Sequence, residues 1–195
     1  MILNFITLFI PLAYINFSNS DIENWELKKD KDNIKVYIRN VDQSTKEYLA
    51  ETIIRSDIDN IFNTIIDFDN SYKWMYKLNS SKILKKTDTI MYVYFIVDMN
   101  WPLKNRDLVS DATIKRDTDK IKIEMNSAPD YIPINNKLVR INKSRSIWNL
   151  EKIDDFNTKV TLQSYAVVDG IPVFIMDLFI LDSPMYSMTR LREKF

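Results

Sequence analysis

The sequence predicts an α+β fold, a strongly bent antiparallel sheet wrapped over a long C-terminal helix. Three observations carry this. Between residues 34 and 168, short segments that alternate apolar and polar residues follow one another at the close spacing of a meander. The longest, Ile90 to Asn100, is apolar on both faces, with Met91, Val93, Phe95 and Val97 opposite Tyr92, Tyr94 and Ile96. Such a strand must be covered on both sides or line an internal space. The stretch after Gly170 is largely apolar, so it needs a large apolar partner, and the curved sheet is the available one.

Residues 1–20 open the chain with an almost wholly apolar run, Met1 to Phe17, interrupted by Pro11 and followed by Ser18-Asn19-Ser20. This reads as a secretory signal with small residues at its cleavage site, which places the protein outside the cytoplasm, periplasmic or extracellular. Left uncleaved, the same segment would be a membrane anchor or a docking segment of the fold, and the protein membrane-anchored or cytoplasmic. Residues 21–195 show no linker or repeat and form one domain.

Within it, Ile34 to Arg39 alternates Ile34, Val36 and Ile38 against Lys35, Tyr37 and Arg39, and Tyr48 to Arg55 supplies the next strand. A helix follows, with Ser56 as its expected N-cap and Ile58, Ile61, Phe62, Ile65 and Ile66 on one face. Asp67 to Ser71 ends it, and Tyr72, Trp74, Met75 and Tyr76 form an aromatic loop, either an entrance lip that touches membrane or a packed connection. Strands are then expected at Lys82 to Thr87, Ile90 to Asn100, Leu108 to Arg116, Ile121 to Asn126, Leu138 to Asn142, Arg145 to Ile153 and Lys159 to Val168. Gly170 breaks the last of these, Pro172 suits a first helical turn, and Pro184 is expected to kink or restart the helix.

Composition removes whole classes of chemistry. The chain has no histidine and no cysteine, which excludes Ser-His-Asp and Cys-His nucleophilic sites, thiolate metal sites and disulfides. A single glycine, Gly170, excludes a glycine-rich phosphate loop, so turns fall to Asn and Asp, as in Asp30-Lys31-Asp32-Asn33 and Asn135-Asn136. With 27 basic and 27 acidic residues there is no bulk charge for nucleic acid, and none is expected as a partner. Asp117 to Asp119 and Asp154-Asp155 read as hairpin turns rather than metal sites, and no metal or cofactor is expected.

The most informative stretch is Trp101-Pro102-Leu103-Lys104-Asn105-Arg106-Asp107. Pro102 belongs at a strand end, an edge or a bulge. Beyond it Arg106, Leu108, Ser110, Ala112 and Ile114 share one face, and Asp107, Val109, Asp111 and Thr113 the other. If the first face is interior, Arg106 is a charge entering an apolar compartment, where it needs a partner or a ligand. Asp98 on the preceding strand is a candidate counter-ion, and Asp107 a second, in a purely structural pair.

These residues carry a resemblance. Trp25-Glu26-Leu27 leads into Ile34 to Arg39, Asp67-Phe68-Asp69 leads to Trp74-Met75, and Trp101 to Asp107, Val139-Arg140-Ile141, Trp148 and Asp169-Gly170-Ile171-Pro172 follow in order. Over about Trp25 to Glu193 the chain resembles the START lipid-transfer domains of the helix-grip, or Bet v 1-like, superfamily, in particular the small exported START-like proteins of bacteria. The resemblance implies a deep apolar cavity between sheet and C-terminal helix that holds a lipid, a sterol or another hydrophobic molecule. It implies that Arg106 lies at the polar end of that cavity, beside the small residues Ser110 and Ala112.

The candidate ligand-binding set is then Arg106, Asp98, Tyr94, Trp101, Ser110, Ala112, Trp148, Tyr165, Met176 and Phe179. For Trp101, Trp148, Tyr94 and Tyr165, cavity lining competes with ordinary core packing. Met176 and Phe179 belong to the apolar helix, and methionine repacks readily around different apolar ligands. The expected function is non-enzymatic binding, and transfer, of a hydrophobic small molecule, with transient membrane contact. The alternative is an enzyme similar to polyketide aromatase/cyclases, in which Asp98, Arg106 and Tyr94 assist the reaction.

Overall fold

A computed structural model of the protein describes residues 24–43, 45–171 and 173–195. The expected signal segment, Pro172 and the side chains of Val173 and Phe174 lie outside the described residues. Ten strands form one sheet: β1 (Glu26–Lys31), β2 (Ile34–Asn40), β3 (Lys46–Ile54), β4 (Leu78–Lys86), β5 (Ile90–Val97), β6 (Arg106–Arg116), β7 (Lys120–Ser127), β8 (Val139–Arg140), β9 (Lys143–Lys152) and β10 (Thr158–Val167). Their order is β1-β2-β3-β10-β9-β7-β6-β5-β4, antiparallel throughout, with the short β8 added in parallel to β6.

β1 was not expected as a strand. Its sequence is mostly charged and nearly all exposed, as suits an edge, so it lacks the alternation of a half-buried strand. Its pairing with β2 makes it one. The β1–β2 turn falls at Asp32 and Asn33, with φ of 54° and 59°, left-handed values that aspartate and asparagine tolerate.

Helix α1 (Ile58–Ile66) buries Ile58, Ile61 and Ile65. Its N-cap is Asp57, not Ser56. Asp57 has the extended backbone of a cap, and its carboxylate accepts from Asn60 N–H at 2.9 Å, while the Ser56 carbonyl accepts from Thr158 Oγ1. Asp57→Ala should cost about 1 kcal/mol in a urea titration; Ser56→Ala, which leaves that carbonyl in place, should cost less. Phe68–Lys73, where the helix was expected to end and the aromatic loop to begin, forms a 3-10 helix followed by the buried Trp74.

Helix α2 (Val173–Arg192) runs as one helix of 20 residues with Pro184 inside it, so of the kink or restart expected there the restart does not occur. The residues after the proline explain this. Met185, Met188 and Leu191 are all buried against the sheet, and their burial offsets the hydrogen bond that Pro184 removes. The half before the proline is less covered, with Leu178 61% exposed.

The core lies between the concave face of the sheet and α2. Val36, Ala50, Val93, Ala112, Ile123, Trp148, Leu150 and Leu162 contribute to it from seven strands. The opposite, convex face carries its own cover. Residues 128–138 cross it, and Tyr131 stacks on Tyr92 of β5 with ring centroids 3.8 Å apart.

Candidate functional site

Arg106 begins β6, and strand alternation puts it on the concave face with Leu108, Ser110 and Ala112. It is 4% exposed. Its Nη2 donates to the Asp169 carbonyl at 3.1 Å and its Nη1 to the Lys104 carbonyl, so it ties the β5–β6 connection to the turn before α2. Nε has no partner. Burial pushes the Arg106 pKa down.

Neither expected counter-ion meets it. The Asp98 carboxylate accepts from the side-chain amides of Asn105 at 2.8 Å and Asn79 at 3.1 Å, which brace the β5–β6 connection. Asp107 points to the convex face. There it takes both arms of Arg140, Nε at 3.0 Å and Nη2 at 2.9 Å, and accepts from the Tyr94 hydroxyl at 3.1 Å. Burial, and then the Asp107 charge, raise the Tyr94 pKa. Tyr94 therefore stands on the far side of the sheet from Arg106. Tyr165 does too, since its neighbours Ser164 and Ala166 take the concave positions and its register partner is Arg145.

The remaining candidates divide between core and rim. Ser110, Ala112 and Trp148 are buried on the concave side, with Trp148 edge-to-face against Trp74 at 6.0 Å. Trp101 is 92% exposed, at the cis Trp101–Pro102 peptide. With Leu103, Ile175, Leu178 and Phe179 it rims a cleft of about 230 Å³ between the β5–β6 connection and the first half of α2. Phe179 also packs edge-to-face on Tyr76 at 5.7 Å, and Met176 is half-buried on α2. A larger cleft of about 530 Å³, lined by Asn60, Asn63, Asn70 and Lys194 among others, lies at the opposite end of α2.

A polar group on the concave face escaped the sequence reading. Register aligns Met125 of β7, Ser146 of β9, Ser164 of β10 and Tyr48 of β3 in one row across the sheet. The two serine hydroxyls are 2.7 Å apart, and the Tyr48 hydroxyl faces Ser164 and Ser183 of α2. Burial raises the Tyr48 pKa. The signal was present in the sequence, because Ser146 and Ser164 fall at the parity of the core residues Trp148 and Leu162. Hydroxyls at those positions give the apolar layer a second polar station.

The architecture has solved counterparts. The chain is 31% identical to the STAR-related lipid transfer protein of Xanthomonas axonopodis, with a TM-score of 0.82 over 88% of this chain and 98% of that one. Human StAR-related lipid transfer protein 5 superposes with a TM-score of 0.74 at 16% identity, over 90% of this chain and 88% of its own. The Zhui aromatase/cyclase of Streptomyces shares the fold at 8% identity and a TM-score of 0.58, over 77% and 93% of the two chains. An uncharacterized protein of Pseudomonas aeruginosa is 32% identical over 90% of this chain and 88% of its own. No family model matches the chain. Sequence identity across nearly the whole domain, joined to the same sheet and terminal helix, places this chain in the STAR-related lipid transfer (START) family.

Proposed function

We propose that the protein binds a lipid or other hydrophobic small molecule between the concave face of the sheet and α2, and carries it between membranes outside the cytoplasm. The observation that supports this most directly is the 31% identity to a bacterial lipid transfer protein over 98% of that protein's chain. The placement of Arg106 agrees with it. A buried cation at one end of an otherwise apolar layer, beside the small buried residues Ser110 and Ala112, suits an amphiphile with its head group at Arg106.

The test is the content of the protein itself. Protein made in its own host should release a lipid on solvent extraction and mass spectrometry. An empty extract, together with no uptake of a fluorescent fatty acid or sterol, would overturn the reading. The apolar cleft at Trp101 and Leu178 is the entry in this proposal, and the exposed Trp101 ring is its contact with the bilayer. Trp101→Ala should therefore weaken co-sedimentation with phospholipid vesicles about tenfold, the equivalent of losing most of one buried aromatic side chain. Binding of a soluble fluorescent fatty acid should be unchanged in the same variant.

A further inference from the structure

We infer that the interior site selects a singly charged anionic amphiphile, whose head group meets the free edge of the Arg106 guanidinium. The inference rests on the carrier reading above and names the charge class of its cargo.

The strand arginines set the comparison. Among the described residues Arg39 pairs with Glu47, Arg116 with Asp59, Arg140 with Asp107 and Arg145 with Glu124. The sheet thus supplies a carboxylate even to Arg140, whose side chain is 3% exposed. Arg106 is the exception. It is as deeply buried, and among the described residues no carboxylate lies within ion-pair distance of it and no acceptor meets its Nε–H. The two nearby acids are committed, Asp98 to Asn79 and Asn105, and Asp107 to Arg140 on the other face.

The hydrogen bonds Arg106 does make do not account for it. Its acceptors are the carbonyls of Lys104 and Asp169, both on exposed residues that water can reach. A backbone carbonyl offers a partial charge, whereas a guanidinium stripped of water carries a full one. The fold therefore holds one uncompensated positive charge beside Leu108 and Ser110 on the concave face. Burial of an unpaired charge lowers stability, and a ligand that carries the missing anion recovers it. A neutral lipid leaves the charge unpaired, a zwitterion brings a second cation, and a dianion leaves an excess of negative charge. One negative charge is the match.

The experiment compares cis-parinaric acid with its methyl ester, which share a chain and differ in charge. Delipidated wild-type protein should bind the acid at least about tenfold more tightly, the scale of a charge-assisted hydrogen bond. Arg106→Met should abolish the preference for the acid over the ester and raise the melting temperature of the delipidated protein. Arg106→Lys should keep part of the preference. Equal binding of acid and ester by the wild type, or an acid preference that survives Arg106→Met, overturns the inference. Should the variants fail to fold, displacement from the wild type decides: dodecanoate should displace bound parinaric acid far better than dodecanol, and parity overturns the inference. A short-chain phosphatidylglycerol that outcompetes dodecanoate assigns the anion to a phosphodiester, and the reverse to a free carboxylate. If neither probe binds, it is the carrier reading that fails.

Discussion

Replacing Arg140 by alanine should destabilise the domain by about 3–5 kcal/mol, the cost of leaving one partner of a buried ion pair alone. Arg140 and Asp107 are 3% and 1% exposed at their side chains and meet through two hydrogen bonds, with the Tyr94 hydroxyl as a third donor to the carboxylate. Removal of the arginine strands Asp107 in a layer that water does not enter. It also frees the Pro129, Ile132 and Pro133 carbonyls that Arg140 holds, and with them the cover over the convex face. Urea titration of Arg140→Ala gives the magnitude. A loss below about 1 kcal/mol would show that the pair is solvated and that the cover is held otherwise. The double variant Asp107→Leu, Arg140→Met should cost less than Arg140→Ala, because it leaves no orphaned charge.

Trp148→Ala should have a comparable effect from a different cause, about 3–5 kcal/mol for an aromatic residue deleted from a packed core. Trp148 is 2% exposed, stands in the middle of β9 and packs edge-to-face on Trp74, which closes the end of the 3-10 helix. Loss of the indole therefore opens a void between the sheet and the segment that follows α1. The check is the denaturation midpoint together with its slope. A lower midpoint at unchanged slope is the expected result. A marginal change would mean that the ring lines space already empty rather than anchoring the core. Because Trp148 and Arg140 act on opposite faces of the sheet, their costs should add.

Much of the architecture was legible because it is written locally. Alternation is a property of the backbone, so the division of β6 into an Arg106 face and an Asp107 face follows from the residues alone. The asparagine and aspartate turns were legible for the same reason: at Asp32 and Asn33 a left-handed backbone selects those side chains. Signals that depend on cover were not legible. β1 is charged and exposed, so nothing in its pattern marks it as a strand until β2 pairs with it. The helix that passes through Pro184 depends on Met188 and Leu191 finding the sheet, which outweighs a local rule.

By itself, the sequence determined the class of fold, the absence of histidine and thiol chemistry, and the two faces on which Arg106 and Asp107 stand. Only the tertiary structure decided who meets whom. Asp107 is claimed by Arg140, 33 residues further on, through the parallel pairing of β8 with β6. Asp98 is claimed by two asparagine amides. Arg106 is left without a carboxylate among the described residues, its charge facing the concave layer. The physical reason is one of range. Facing is set by each strand's own backbone, whereas charge pairing is set by which distant segments the fold lays over each face.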